Sequence, residues 1–185
     1  TQEKYFYKSE GVLDYTLDAN GTRVSFGYDN ALRLIHKDIQ HGIGIEGTAS
    51  EDFWYDGANR MTFAQNDYST STMKYNSFGQ AYEETSSINI NGQAFAKTIN
   101  SEFDALGNRA KLTYPSGRNV LYEMDALNRT RYIQNGDGDI LAGYSYQGAS
   151  RVKTRKNGNG TRLDIAYDAM RRITQYQNDF VGTGQ

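Results

Sequence analysis

The 185-residue chain has a formal net charge of -2 and a pI near 5.7, so it offers no general field for nucleic acid or anionic lipid. Only 37% of it is hydrophobic, mean hydropathy is -0.76, and 15 tyrosines make up much of the apolar fraction, which is too little for a thick two-layer core. With no cysteine it has neither a disulfide nor a thiolate metal site, and this fits either redox compartment.

Taken in order, Thr1 to Asp18 alternates loosely around Gly11 and reads as one degenerate hairpin. Asn20-Gly21 predicts a two-residue type I′ turn with both centres at positive φ. The arm from Thr22 carries Val24, Phe26 and Tyr28 on alternate positions into Asp29, a short corner and Arg33, and the partner arm runs to about Ile39. His41-Gly42-Ile43-Gly44-Ile45-Glu46-Gly47-Thr48 is a glycine-marked loop that decorates one hairpin tip. The next corner is Asp56-Gly57-Ala58-Asn59-Arg60, preceded by Phe53 and Tyr55 with Trp54 on the opposite face. A short unit ends at Tyr75, and Asn91-Gly92 closes a hairpin with longer arms.

The later part is more regular. Phe103-Asp104 leads through Gly107 to Arg109, with Arg109 displaced by one place relative to its counterparts, and Pro115-Ser116-Gly117 forms the next tip. Met124-Asp125 leads to Arg129, Asn135-Gly136-Asp137-Gly138 to a further tip, Tyr146 to Arg151, and Tyr167-Asp168 to Arg172. No segment has a sustained helical period.

The spacing defines eight units starting near residues 7, 28, 55, 75, 103, 124, 146 and 167, in steps of 21, 27, 20, 28, 21, 22 and 21 residues. A period near 21 is two strands and two turns, so the expectation is an all-β fold of about sixteen strands in sequential antiparallel order. At about 4.8 Å per strand the strip must curl to protect its surface. In each unit the Asp can accept corner N–H groups as an Asx turn. The Arg can return to that Asp or stack on the aromatic of its own unit. The aromatics are expected to form a side-by-side ladder that fixes register. Gly11, Asn59, Gly79, Gly107 and Asn128 suit positive φ, whereas Leu32, Ser150 and Arg171 at the same place suggest differently shaped corners.

These residues resemble the YD repeat of the rearrangement-hot-spot (Rhs) family: an aromatic, Asp, two residues, Gly, Arg, an apolar residue and a later Gly-containing turn. The resemblance spans roughly Tyr7 to Ile173 and rests on copies in register. Family members include bacterial Rhs proteins, Tc-toxin shell subunits and teneurins. The resemblance implies tandem antiparallel β-hairpin repeats in a spiralling single-layer strip, part of a hollow β-shell. It implies one array over residues 1–185 inside a longer protein, secreted or at the cell surface and most simply bacterial. Its expected partners are further YD repeats at both edges and an enclosed toxin or cargo polypeptide. The repeat-defining residues are Tyr28, Asp29, Arg33, Tyr55, Asp56, Arg60, Phe103, Asp104, Gly107, Arg109, Asp125, Arg129, Tyr146, Arg151, Tyr167, Asp168 and Arg172, all with structural roles.

No catalytic, cofactor or metal site is expected. His36 and His41, the two histidines, lie five apart and would point to opposite faces of an extended strand. Asn135-Gly136-Asp137-Gly138-Asp139 hints at a calcium loop but has no closing Glu, and an ordinary polar tip explains it. Repeated corner carboxylates are explained by turn chemistry, and no Gly-x-Ser-x-Gly elbow or phosphate loop occurs. No apolar run reaches transmembrane length, Thr1-Gln2-Glu3-Lys4 does not begin a signal peptide, and no capping segment is evident at Thr1-Glu10 or Asp179-Gln185. A carbohydrate- or wall-binding aromatic module is the alternative function, weakened by the single Trp54.

Overall fold

The computed structural model describes residues 2–182, so Thr1 and residues 183–185, which fall in the two segments read as uncapped, lie outside the described residues. The described residues form sixteen strands: β1 (Lys4–Tyr7), β2 (Leu13–Leu17), β3 (Arg23–Tyr28), β4 (Leu34–Gln40), β5 (Ser50–Tyr55), β6 (Met61–Asn66), β7 (Ser69–Tyr75), β8 (Ala81–Ile90), β9 (Gln93–Phe103), β10 (Arg109–Thr113), β11 (Asn119–Met124), β12 (Thr130–Asn135), β13 (Ile140–Gln147), β14 (Arg151–Asn157), β15 (Thr161–Tyr167) and β16 (Ile173–Phe180). They hydrogen-bond in sequence order, β1 to β16, as an antiparallel meander. The all-β expectation and the strand number therefore hold. The chain forms two compact units, Thr1–Thr98 and Ile99–Gln185.

The sheet is one side chain deep. Among the described residues the buried apolar side chains are Val120 and Ala142, and no large side chain is fully enclosed. Stability therefore comes from many half-buried neighbours and from main-chain ladders rather than from a central core.

Turns alternate between two rows, the corners that follow the aromatics and the tips at the far ends of the arms. At a regular corner the first residue pairs with the fifth and the fourth closes a tight turn: Asp29 N–H donates to Arg33 O (3.0 Å) and Leu32 N–H to Asp29 O (3.0 Å). Asp56, Asn76, Asp104, Asp125 and Asp168 head the same pattern. The fourth residue has positive φ, and the strand register shifts beside the aromatic, as between Gly27 and Tyr28. This is a type I turn followed by a left-handed bulge residue.

Two expectations about turns are corrected. Leu32 (φ 59°) and Arg171 (φ 67°) adopt the same left-handed conformation as Asn59 (φ 65°) and Gly107 (φ 86°), so their corners are not differently shaped. The Asp-headed hydrogen bonds impose the backbone even where a Cβ resists it, at a cost of about 1 to 2 kcal/mol. The corner of Ser150 does differ: positive φ falls at Gly148 (φ 66°) instead. Asn20-Gly21 is not a type I′ turn, because Gly21 alone takes positive φ there (89°). Asp18 accepts the N–H groups of Asn20 (3.0 Å) and Thr22 (2.8 Å), which converts this tip to the three-residue bulged form. Asn91-Gly92 is the genuine two-residue type I′ turn, with φ of 53° and 81°.

The decorated tip is tied down rather than loose. His41 Nε2 lies 2.9 Å from Thr48 O, Gly42 N–H donates to Thr22 Oγ1 (3.1 Å), and the Asp67 carboxylate accepts from Ala49 N–H and Thr48 Oγ1. A Cβ at Gly42 would lie 2.2 Å from Asn20 O, so this approach requires glycine.

Candidate functional site

The recurring constellation begins with the corner carboxylate. Asp125 Oδ1 accepts Leu127 N–H (2.9 Å) and Arg129 N–H (3.0 Å), while Oδ2 accepts Arg129 Nε–H (2.8 Å). Asp29 and Asp56 make the same three bonds with Ala31 and Arg33, and with Ala58 and Arg60. Asp168 bonds Arg172 in the same way through Oδ1 (2.9 Å) and Oδ2 (2.7 Å). Asp104 holds Asn108 rather than Arg109, and Asn76 holds Gln80, with amide side chains in the arginine's place. Arg109 lies over its own Phe103 at 6.0 Å.

These bonds move the carboxylates below their ordinary value of 3.8. The Arg129 and Arg60 side chains are the main cause for Asp125 and Asp56, and the Asn108 amide for Asp104. For Asp29 and Asp168 it is the backbone N–H of the arginine. Charge-assisted bonds to the ionised form produce a shift in this direction without any catalytic purpose.

The arginine has a second partner that the sequence reading placed wrongly. Arg33 Cζ lies 4.9 Å from the ring centroid of Tyr55, Arg60 4.7 Å from Tyr75, Arg129 4.2 Å from Tyr146, and Arg151 5.4 Å from Tyr167. In every case the ring belongs to the following unit. The same tyrosines reach back with their hydroxyls: Tyr55 donates to Leu34 O (2.9 Å), Tyr75 to Met61 O (2.7 Å), Tyr146 to Thr130 O (2.6 Å) and Tyr167 to Val152 O (2.9 Å). The acceptor is always the residue just after the arginine. Arg33 and Arg60 also donate to the next corner's carbonyls, Asp56 O (3.2 Å) and Asn76 O (3.4 Å), and Arg129 to Gly148 O (2.8 Å) and Ala149 O (3.0 Å).

This arrangement corrects the side-by-side aromatic ladder. Among the described residues the ring pairs are Phe6–Tyr15 and Trp54–Phe63, neither of which joins two corner aromatics. Guanidinium groups stand at four junctions instead, and those of Arg33, Arg60 and Arg129 tie a turn to its neighbour. At Tyr28 the cation is Lys8, 5.5 Å from the ring centroid, because Val12 occupies the arginine position of the first corner. Lys8 was not anticipated, although a lone cation one unit ahead of a tyrosine was a signal for it.

The other candidate residues have ordinary surroundings. His36 Nδ1 lies 2.7 Å from Asp52 Oδ1 on the adjacent strand, separate from the bond made by His41. Asn135 Oδ1 accepts the N–H groups of Asp137 (3.0 Å) and Asp139 (2.8 Å), and its amide donates to Asp139 Oδ2 (2.8 Å). This Asx tip engages Asn135 Oδ1 and Asp139 Oδ2 in closing the turn. Among the described residues no three His, Cys, Asp or Glu side chains cluster as metal ligands.

An array of β-hairpins joined by a repeated Arg–Tyr contact is thus the class of fold at hand. No family model and no curated protein matches the chain. Solved structures do. A TcdB2-TccC3-TEV crystal structure matches over 95% of this chain at a TM-score of 0.77 and 15% identity. A Photorhabdus luminescens Tc holotoxin pore carrying a TccC3 mutation matches over 96% at 0.79 and 15%. TcdB2-TccC3 without its hypervariable C-terminal region matches over 95% at 0.79 and 14%. The chain spans 10% of the length of each of these chains, and it shares the fold of that portion.

Proposed function

We propose that the chain is a structural wall segment of an Rhs/YD-repeat shell, one array whose task is to enclose a toxin or other cargo polypeptide. The Arg–Tyr junction repeated from unit to unit carries this reading. The tyrosine hydroxyls, and the guanidinium groups of Arg33, Arg60 and Arg129, bond to carbonyls of neighbouring strands and turns, which supports a role in joining hairpins. The fold likeness to Tc-toxin proteins supports it. In this reading the chain has no catalytic role, needs no cofactor, and belongs to a longer protein, bacterial in origin, that is secreted or held at the cell surface. The repeat-defining residues serve turn and register.

The deciding experiment is a particle image of the assembly formed by the longer protein. A hollow container with density inside is expected; a solid rod or an isolated compact monomer would overturn the proposal. A glycan array on the isolated chain is expected to show no specific binding, and tight binding through exposed tyrosines would favour a wall-binding module.

A further inference from the structure

The chain has five Asn-Gly steps, headed by Asn20, Asn91, Asn135, Asn157 and Asn159. Such a step carries a latent reaction. Glycine has no side chain to shield its amide nitrogen, so that nitrogen can attack the side-chain Cγ of the asparagine before it. Hydrogen bonds to the asparagine amide or from the glycine N–H oppose the attack, because they must break before a ring can close. The five steps differ in these bonds.

Four of them are held. Asn20 Oδ1 accepts Thr22 N–H (3.0 Å) and the Thr22 hydroxyl (2.7 Å), and Gly21 N–H donates to Asp18 O (3.3 Å). Asn135 Oδ1 accepts the N–H groups of Asp137 and Asp139 while its amide donates to the Asp139 carboxylate. Asn157 Nδ2 donates to Thr161 Oγ1 (2.8 Å), and Gly158 N–H donates to Leu141 O (2.9 Å). Asn159 Oδ1 accepts Thr161 N–H (3.1 Å) and the Thr161 hydroxyl (2.7 Å), and Gly160 N–H donates to Asn157 O (3.0 Å). Asn91 is the exception. Among the described residues nothing bonds to its side-chain amide or takes the Gly92 N–H. Residues 88–97 around it are all exposed, and even a Cβ at Gly92 would meet nothing within 4 Å.

We propose that Asn91-Gly92 is a self-modification site of the folded chain, at which Asn91 converts to aspartate and isoaspartate. The Gly92 nitrogen forms a bond to Asn91 Cγ and gives up its proton to water. The Cγ–Nδ2 bond breaks, Nδ2 leaves as ammonia, and a cyclic succinimide remains. Water then opens that ring at either carbonyl, and nothing is oxidised or reduced. Ring closure needs rotation about the Asn91 Cα–C bond, which no side-chain bond resists at this tip and which fraying of an exposed hairpin end permits. The two products differ in consequence. Aspartate suits a type I′ turn, so that form keeps the hairpin. Isoaspartate routes the main chain through Cβ and Cγ, which lengthens a two-residue loop whose length sets the register of its arms. Both put a negative charge on the tip.

Incubation of the purified folded chain at mildly alkaline pH, followed by peptide mapping that separates aspartyl from isoaspartyl forms, tests the proposal. Asn91 should convert about tenfold or more faster than Asn20, Asn135, Asn157 and Asn159, which must first lose their hydrogen bonds. In concentrated urea, where those bonds are gone, the five should convert at similar rates. Hydroxylamine, which cleaves a succinimide, should cut the folded chain first between Asn91 and Gly92. A held step that reacts as fast as Asn91 in the folded chain, an Asn91 that stays intact there while the urea sample reacts, or the same order of rates with and without urea would each overturn the proposal.

Discussion

Adjacent corners of the second unit, Asp125 to Arg129 and Gln147 to Arg151, show that two devices meet at one arginine. The first has its carboxylate, its left-handed Asn128 and its arginine stacked on the next ring. The second has Gln147 in place of the carboxylate and a left-handed Gly148, and Arg151 Nε is buried without a hydrogen-bond partner. Even so, Arg151 lies over Tyr167, and the Tyr167 hydroxyl still bonds Val152 O. Arg172 is the converse, with a carboxylate and no following ring among the described residues. Closing a turn and joining two units are therefore separable functions, the first assigned to Asp and the second to Arg with Tyr.

The largest expected effect breaks the first corner alone. Asp125→Ala strips the acceptors from two backbone N–H groups and from Arg129, and should lower the urea-unfolding free energy by about 1 to 3 kcal/mol. Gln147→Ala should change it by less than about 0.5 kcal/mol, and equal losses at the two sites would contradict the division of roles.

Next in size is the junction, which both corners retain. Tyr146→Phe and Tyr167→Phe each delete a hydroxyl donor while keeping the ring, and each should cost about 1 kcal/mol. Tyr7→Phe, with no junction inside the chain, should cost nothing measurable; denaturation profiles of the three variants would settle the matter.

Acidification should separate the corners by their carboxylates. Asp125 is held below 3.8, first by the Arg129 side chain, so the folded state favours its ionised form. The stability it contributes is complete above the ordinary carboxylate value and is lost as pH falls through the lower folded value, below about pH 4. Thermal unfolding of Asp125→Asn should show a shallower loss between neutral pH and pH 3 than the parent chain; an unchanged slope would argue against the bond.

The smallest expected effect is a gain. Leu32 occupies a left-handed position that glycine fills elsewhere, so Leu32→Gly should raise stability by up to about 1 kcal/mol, and Gly107→Ala should lower it by a similar amount. Differential scanning calorimetry of this pair would detect a sign error in either.

The sequence by itself determined the turns and the strand count, because both are local. An Asp four places before an Arg carries its own hydrogen-bond acceptors, and period-two alternation marks each arm. At Asn20-Gly21 the local signal misled because a neighbouring residue, Asp18, supplied a competing acceptor. The partner of each arginine was decided only by the tertiary structure. Its ring lies 15 to 22 residues onward, as from Arg60 to Tyr75 and from Arg33 to Tyr55, across a tip of variable length. The tyrosine's acceptor is a backbone carbonyl, which any residue carries, so no residue type could announce it. The strand register alone brings the guanidinium, the ring and the carbonyl to one place.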